Sequence, residues 1–304
     1  MTYTLGCDPE FFVAKKERPK TPIPVCGLVG GTKEAPIKVP YADVMGRSRG
    51  IEGFAYLEDS VAYEFNTPPA SNPDDFRAYV DNMMSWNYAM LSTKGLVPRI
   101  KPYARFSHKT LAALSKEADV IGCAPDLIAY NANEGFKRKG TQLVTADLLK
   151  DTRVAGGHLH LGYDVTKCPR HIMSQWMDLF IALPTLHADK QNTRREFYGI
   201  PGAFREKPYG IEYRTLSNFW IEQGSYAIGT EVFRVMRAVC EHPENAVRVY
   251  QSVPWYDVRE AIQFEDVKVG GDILRHITNT HDFIAFWDGA YRDSLRQSFA
   301  PAKG

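Results

Sequence analysis

Residues 154–164 read VAGGHLHLGYD, and the alternation His158, Leu159, His160, Leu161 decides how the chain is built. A period of two marks a strand with two unlike faces. Residues two apart point the same way, so the two imidazoles share one face, roughly 7 Å apart, and Leu159 and Leu161 take the other. Gly156 and Gly157 leave room for a second backbone or a ligand to come close. Two imidazoles on the open side of a sheet make a corner for a metal ion or a phosphate. An ordinary strand whose histidines bond to their neighbours reads the same way, because His-x-His alone is a weak motif.

Three more stretches repeat the pattern. Residues 3–14 (YTLGCDPEFFVA) read as a strand kinked at Pro9, with Asp8 and Glu10 on one face. Residues 60–67 (SVAYEFNT) read as a second strand, with Glu64 opposite Tyr63 and Phe65 and with Pro68-Pro69 closing it. Residues 211–216 (IEYRTL) place Glu212 and Arg214 together, opposite Ile211, Tyr213 and Thr215. Acids set in strands this apolar are costly to bury without a counter-charge.

Between the strands, residues 27–33 (GLVGGTK) form a glycine-rich loop ending at Lys33; its spacing is not that of a P-loop, so a plain turn and a phosphate cradle both remain. Residues 194–210 carry Arg194, Arg195, Arg205 and Lys207 among glycines and aromatics. They read as irregular backbone, either wrapped over an anionic ligand or held by surface ion pairs. Asn72-Pro73-Asp74-Asp75 is a helix start, with cap, first-turn proline and first-turn acids, and Gly95 suits the other end. Phe76, Tyr79, Val80, Met83, Asn87 and Met90 give that helix an inward face. Further helices are expected over 107–119, 169–189 (kinked or ended by Pro184), 231–241, 254–264 and 282–299. A strand and turn are expected over 122–131, a solvated basic loop over 137–140 and a helical turn over 146–150.

The 304 residues are read as one domain, 1–304, whose part from 224 to 304 is mainly helical. A net charge of +1 gives no reason to expect bulk nucleic-acid or membrane-surface binding. The five scattered cysteines, with no C-x-x-C pair, fit free thiols. There is no basic-then-apolar leader and no apolar run long enough to span a bilayer, so a soluble cytoplasmic protein is expected.

Asp8, Glu10, Glu64, His158, His160, Glu212 and Arg214 thus lie on the polar faces of four strands. Clustered carboxylates repel, so they need cations to coexist. A carboxylate-dominated set with one or two imidazoles suits Mg2+ or Mn2+ better than zinc. An arginine beside it points to phosphate.

These same stretches carry a family resemblance. GCDPEFF (6–12), GHLH (157–160) and IEYR (211–214) resemble, in the same order, the Gly-x-Glu-x-Glu-Phe-Phe, Gly-x-His-x-His and Ile-Glu-x-Arg strands of glutamine synthetases. GGHLHLGY, GAFREKPYG and IEYRTLSNFW are more closely similar to the type-2 amidoligases of bacteriophages, in the carboxylate–amine ligase superfamily that also holds glutamate–cysteine ligases. The resemblance implies an α+β fold, a curved and mostly antiparallel sheet walled by helices. It also implies ATP, two or more Mg2+ or Mn2+ ions, and amide formation through an acyl phosphate. Its substrates would be a carboxylate and an amine, free or carried on a peptide or nucleotide, in host cytoplasm, with a homo-oligomer among the expectations.

Carried across, Asp8, His158 and Glu212 would hold the ion next to the transferring phosphoryl group. Glu10 and Glu64, with Glu58 as a further candidate, would hold the ion nearer the acyl substrate. Arg195 and Arg214 would act on the phosphoryl charge, with Glu64 also in the catalytic set. Arg194, Arg205, Lys207, His160 and Lys33 are the candidates for the nucleotide. Asp8 stands where the synthetases have a longer glutamate. The rival readings are a metal-dependent hydrolase built on the His-x-His strand and a non-catalytic nucleotide-binding phage protein.

Overall fold

A computed structural model describes residues 2–48, 50–114, 126–137, 151–190, 192–196 and 198–286. The expected helical turn at 146–150, residues 122–125 of the expected strand and turn (Cys123 among them), most of the basic loop, and the far ends of the 107–119 and 282–299 helices lie outside the described residues, while the rest of the 122–131 stretch forms a short strand and a turn. The strands are β1 (Thr4–Cys7), β2 (Glu10–Lys15), β3 (Pro22–Ile23), β4 (Ile37–Lys38), β5 (Ala55–Asp59), β6 (Ala62–Asn66), β7 (Leu96–Arg99), β8 (Tyr103–Arg105), β9 (Leu127–Ile128), β10 (Thr152–Val154), β11 (Leu159–Gly162), β12 (Ala203–Lys207) and β13 (Gly210–Tyr213). They form two larger sheets, β1-β11-β13-β12-β9 and β3-β2-β6-β5-β4 with β7 on β2, and a separate β8–β10 pair. Their pairing is antiparallel throughout.

The two larger sheets are sewn together along residues 4–15. Pro9 has no amide hydrogen, so it breaks the expected single strand into β1 and β2. The chain nonetheless keeps its neighbours across the break. On one side Asp8 N and Glu10 N donate to the carbonyls of His158 (3.4 Å) and Gly156 (2.9 Å). On the other, Thr67 N and Phe65 N donate to the carbonyls of Cys7 (3.0 Å) and Pro9 (3.2 Å). The result is an α+β fold with one bent antiparallel floor.

Helices cover the apolar face of this floor. Leu5, Phe11, Tyr63, Phe65, Leu159, Leu161, Ile211 and Tyr213 are buried in one core with residues of Pro73–Thr93, Arg170–Met177 and Ser225–Glu241. Asn72 caps the first of these helices, its side chain accepting from Asp75 N at 2.9 Å, and Gly95 takes up φ 71° just beyond the other end. The Arg170 helix continues through a π-helical turn, Asp178–Ala182, and stops at Thr185, next to Pro184. Five helices follow between Ser225 and Phe286. No helix among the described residues is long and apolar enough to cross a membrane.

One expectation is corrected, and one strand had no sequence signal. Residues 203–207 are not irregular: β12 pairs with β13 as a hairpin, so Arg205 and Lys207 stand on a strand at i and i+2. Residues 55–59, which carry no clean alternation, form β5 because β4 and β6 supply partners on both sides.

Gly156 and Gly157 do admit a second backbone. Gly157 N donates to Leu216 O at 3.1 Å. A Cβ on Gly157 would overlap the Ser217 carbonyl oxygen and lie 2.6 Å from Trp220 Nε1. Gly157→Ala should therefore lower stability by ~1–3 kcal/mol, the usual cost of overpacking. A urea-denaturation midpoint equal to the parent's would show that the two segments are not in such contact.

Candidate functional site

The bent floor sets functional side chains in cross-strand order. Glu64 lies opposite Glu10, Gly6 opposite His160, His160 opposite Glu212, and Glu212 opposite Arg205. Period two sends these side chains to the face away from the core, where Glu10, Glu64, Arg205 and Glu212 line a cleft of about 640 Å³ and His160 meets it through Asp8. One wall is β12 and β13 with Arg205, Lys207 and Arg214; the other carries Lys33 and Lys38; carboxylates fill the space between.

On the β11–β13 side, Asp8, His160 and Glu212 offer ligand atoms that all lie within 4.8 Å of one another. His160 Nε2 is 3.0 Å from Asp8 Oδ2, and its Nδ1 meets the Tyr209 hydroxyl at 2.5 Å. His158 turns Nδ1 toward Asp8 (3.5 Å), Glu212 (3.8 Å) and Arg214 Nη1 (3.2 Å). Burial, reinforced by the Arg214 charge, holds the His158 imidazole well below its ordinary pKa, so it is neutral. Burial alone would raise Asp8, but His160 and His158 outweigh it and hold that carboxyl well below the usual range. Burial likewise acts to lower His160, and Asp8 more than reverses it. Glu212 is raised by burial and by Asp8, while Lys207 (2.7 Å), Arg214 and Arg205 (3.8 Å) crowd its oxygens.

The second group is Glu10, Asp59 and Glu64, again with ligand atoms within 4.8 Å. Burial, then repulsion from Asp59, pushes Glu10 up to about 7. Burial, then Asp8, Asp59 and Glu10, pushes Glu64 well above the usual range. Lys33 Nζ contacts Asp59 Oδ1 at 2.8 Å.

Most of the residues singled out from the sequence meet here: Asp8, Glu10, Lys33, Glu64, His158, His160, Arg205, Lys207, Glu212 and Arg214. The geometry differs from the expectation in four places. His160 joins Asp8 and Glu212 in one group, while His158 keeps Nδ1 beside the same two acids with Arg214 Nη1 against that nitrogen. Glu58 faces away: Leu57 and Asp59 share the cleft face of β5, so Glu58 takes the other and accepts from the amides of Gly27 (2.7 Å), Val29 (2.8 Å) and Gly30 (2.7 Å). The glycine-rich loop does cradle an anion, but that anion is the chain's own carboxylate. Arg195 is buried against Glu265 (2.7 Å) and Asp189 (3.5 Å), away from the cleft. Arg194 is fully buried and donates to the carbonyls of Thr215 (3.0 Å) and Arg214 (3.3 Å), so neither arginine reaches the cleft.

The sequence reading missed Asp59, Asp126 and Tyr209. Asp126 Oδ1 pairs with the Arg214 guanidinium, 2.9 Å from its Nε, and lies 3.4 Å from Arg205 Nε. A strand assignment for β5 would have put Asp59 on the right face; Asp126 and Tyr209 carry no such signal.

Both groups fit hard divalent cations: their donors are carboxylates, with one imidazole in the first group, and burial followed by mutual repulsion lifts Glu10 and Glu64, as expected of acids that lack a counter-ion.

Comparisons with known proteins bear on this site. Residues 127–272, somewhat under half of the chain, match the family described as "Phage phiEco32-like COOH.NH2 ligase-type 2", the family that the motifs resemble. The match contains His158, His160, Arg205, Lys207, Glu212 and Arg214. No curated protein sequence matches the chain. Among solved structures, a "novel glutamine synthase homolog" aligns at 12% identity with a TM-score of 0.38, over 97% of this chain and 71% of the other. A bifunctional glutathione synthetase from Pasteurella multocida aligns at 12% identity with a TM-score of 0.29, over 98% of this chain and 52% of the other. Both likenesses are too slight to bear on the site.

Mn2+ or Mg2+ should raise the melting temperature. Without cations, the stability linked to Glu10 is fully present below pH ~4.5 and is lost as pH rises through its folded value of about 7. The cation takes the proton's place, so the cation-induced rise should grow as pH passes 7. Asp59→Asn with Glu64→Gln should weaken cation binding by about tenfold or more, ~1.4 kcal/mol per decade. Calorimetric titration checks both; equal affinities in parent and variant would remove the second cation seat.

Proposed function

We propose that the protein is an ATP-dependent carboxylate–amine ligase. The observation that carries this is a single cleft with two carboxylate-rich cation seats side by side and three basic side chains along one wall. Mg2+ or Mn2+, when bound, would neutralise phosphate charge and act as a Lewis acid on the transferring group. Asp8, His160 and Glu212 would hold the cation nearer the nucleotide, with His158 supporting Arg214 from behind. Glu10, Asp59 and Glu64 would hold the one nearer the acyl substrate.

The chain's own groups then have distinct tasks. Arg205, Lys207 and Arg214 line the wall on which the triphosphate would lie, with Arg214 oriented by Asp126 and Glu212. Its guanidinium is placed to meet charge that spreads over the γ-phosphoryl oxygens. A substrate carboxylate attacks the γ-phosphorus, ADP leaves, and an acyl phosphate forms. An amine next attacks the acyl carbon, inorganic phosphate leaves with the bonding pair, and the amine gives up a proton to complete the amide.

The hydrolase reading is less favoured. Of the eight histidines only His158 and His160 approach the acids of the cleft, and the second group is made of carboxylates alone. Such donors select magnesium or manganese over zinc.

Incubation with ATP, Mg2+ and pooled carboxylates and amines should release ADP and phosphate in step with amide formation. Arg214→Met and Glu212→Gln should each lower kcat by about 100-fold or more, the scale on which a preorganised charge acts in a transition state. Phosphate release without a ligated product in mass spectra would sink the ligase assignment.

A further inference from the structure

The loop that wraps the β4–β5 edge carries a positive charge into the second cation seat. Its backbone is fixed on both flanks. Glu58 clasps the amides of Gly27, Val29 and Gly30, and Glu58 N donates to Gly31 O at 3.3 Å. A Cβ on Gly31 would lie 3.0 Å from Tyr56 O and 3.2 Å from Leu57 Cα, so the loop hugs the strand at a position that takes only glycine. Thr32 and Ala35 close a tight turn by exchanging N–H···O bonds at 3.1 and 3.2 Å, and β4 begins at Ile37. Lys33 projects from this turn over the cleft, and its ammonium rests 2.8 Å from Asp59 Oδ1. The same charge acts on Glu10 and Glu64.

We infer that Lys33 is a placeholder cation: its ammonium occupies the Glu10–Asp59–Glu64 seat until a divalent ion displaces it. This rests on the reading of that seat as a cation site. An Asp59 oxygen that ligates a divalent ion, at about 2.1 Å for Mg2+, cannot also keep an ammonium in contact without two cations facing each other at a few ångströms. Because the backbone is clasped, the exchange needs only the lysine side chain to swing, and that side chain is 41% exposed, with solvent to swing into. The consequence is that Lys33 supports the acid cluster in the ion-free protein and opposes loading of its second ion.

The test is Mn2+ titration of the full chain, followed by calorimetry and by the electron spin resonance signal of free Mn2+. Lys33→Met should bind the second Mn2+ roughly tenfold more tightly than the parent, a gain limited by solvent screening, and should melt lower in EDTA. Lys33→Arg, which keeps the charge, should behave as the parent. Equal or weaker second-ion affinity in Lys33→Met overturns the inference while leaving the two-cation reading intact. A parent that binds no second Mn2+ overturns both. The parent alone gives an independent readout: reductive methylation of Lys33, followed by peptide mass spectrometry, should be slow in EDTA and faster with Mn2+. Labelling that does not change with Mn2+ also overturns the displacement.

Discussion

Repulsion among buried carboxylates is the constraint on which the rest of this molecule depends. Asp8, Glu10, Asp59, Glu64 and Glu212 reach one cleft from four strands and the break between two of them. Ion pairing within the protein is lopsided. Glu212 has Lys207, Arg214 and Arg205 around it, whereas among the described residues the second group has an ion pair from the partly exposed Lys33 to Asp59, with the Arg214 charge acting on Glu10 from further off. A purely structural network would balance its charges, because an uncompensated buried charge costs several kcal/mol, about 3–5 when a partner is lost. The imbalance makes sense if the missing charge arrives with a ligand. The basic wall then serves an anion that comes with those cations.

Holding these acids together requires a floor that does not yield, and the break at Pro9 is where that demand is greatest. The strand must bend there so that Asp8 and Glu10 serve different cation seats. Gly156 N donates to the Glu10 carboxylate at 2.8 Å, and Asn218 Nδ2 donates to the carbonyls of Glu10 (2.8 Å) and Lys101 (3.0 Å). Buried polar groups of the bent segment thus find partners from three separate stretches of chain, as they must in a dry interior. Gly157 completes the arrangement by letting the segment after β13 lie directly against it.

Much of this was legible in the sequence wherever side-chain parity speaks. The alternation at 158–161, 62–66 and 211–214 gave the correct faces for His158, His160, Glu64, Glu212 and Arg214, and the cap at Asn72 marked the start of the long helix. What escaped depends on partners distant in the chain. β5 has weak alternation of its own and exists because β4 and β6 flank it, so the parity that separates Glu58 from Asp59 could not be read. Arg194 and Arg195 stand in sequence among four basic residues expected over an anion. Adjacent residues on a helical turn point about 100° apart, so one reaches the backbone just after β13 and the other the Glu265 carboxylate.

The cleft owes its sharpness to the far side of the sheet. Tyr213 and Thr215 flank Arg214 and, by parity, point to the back, where Asp178 on the π-helical turn accepts from both hydroxyls at 2.6 and 3.1 Å, and from Tyr130 at 3.0 Å. Burial pushes the Asp178 carboxyl up to about 7, and these donors counter that shift, so the network holds a carboxyl that the core alone would disfavour. Arg194 grips the carbonyls of Arg214 and Thr215 from the same side. The Arg214 guanidinium is meanwhile set by Asp126 and lies 5.0 Å over the Tyr198 ring. A free arginine side chain gives up up to ~2 kcal/mol of rotamer entropy when it is fixed. Here that cost is met during folding, so Arg214 already stands where phosphoryl charge would develop. Backbone fixed from behind and side chain fixed from the flank are what turn a basic wall into a preorganised one.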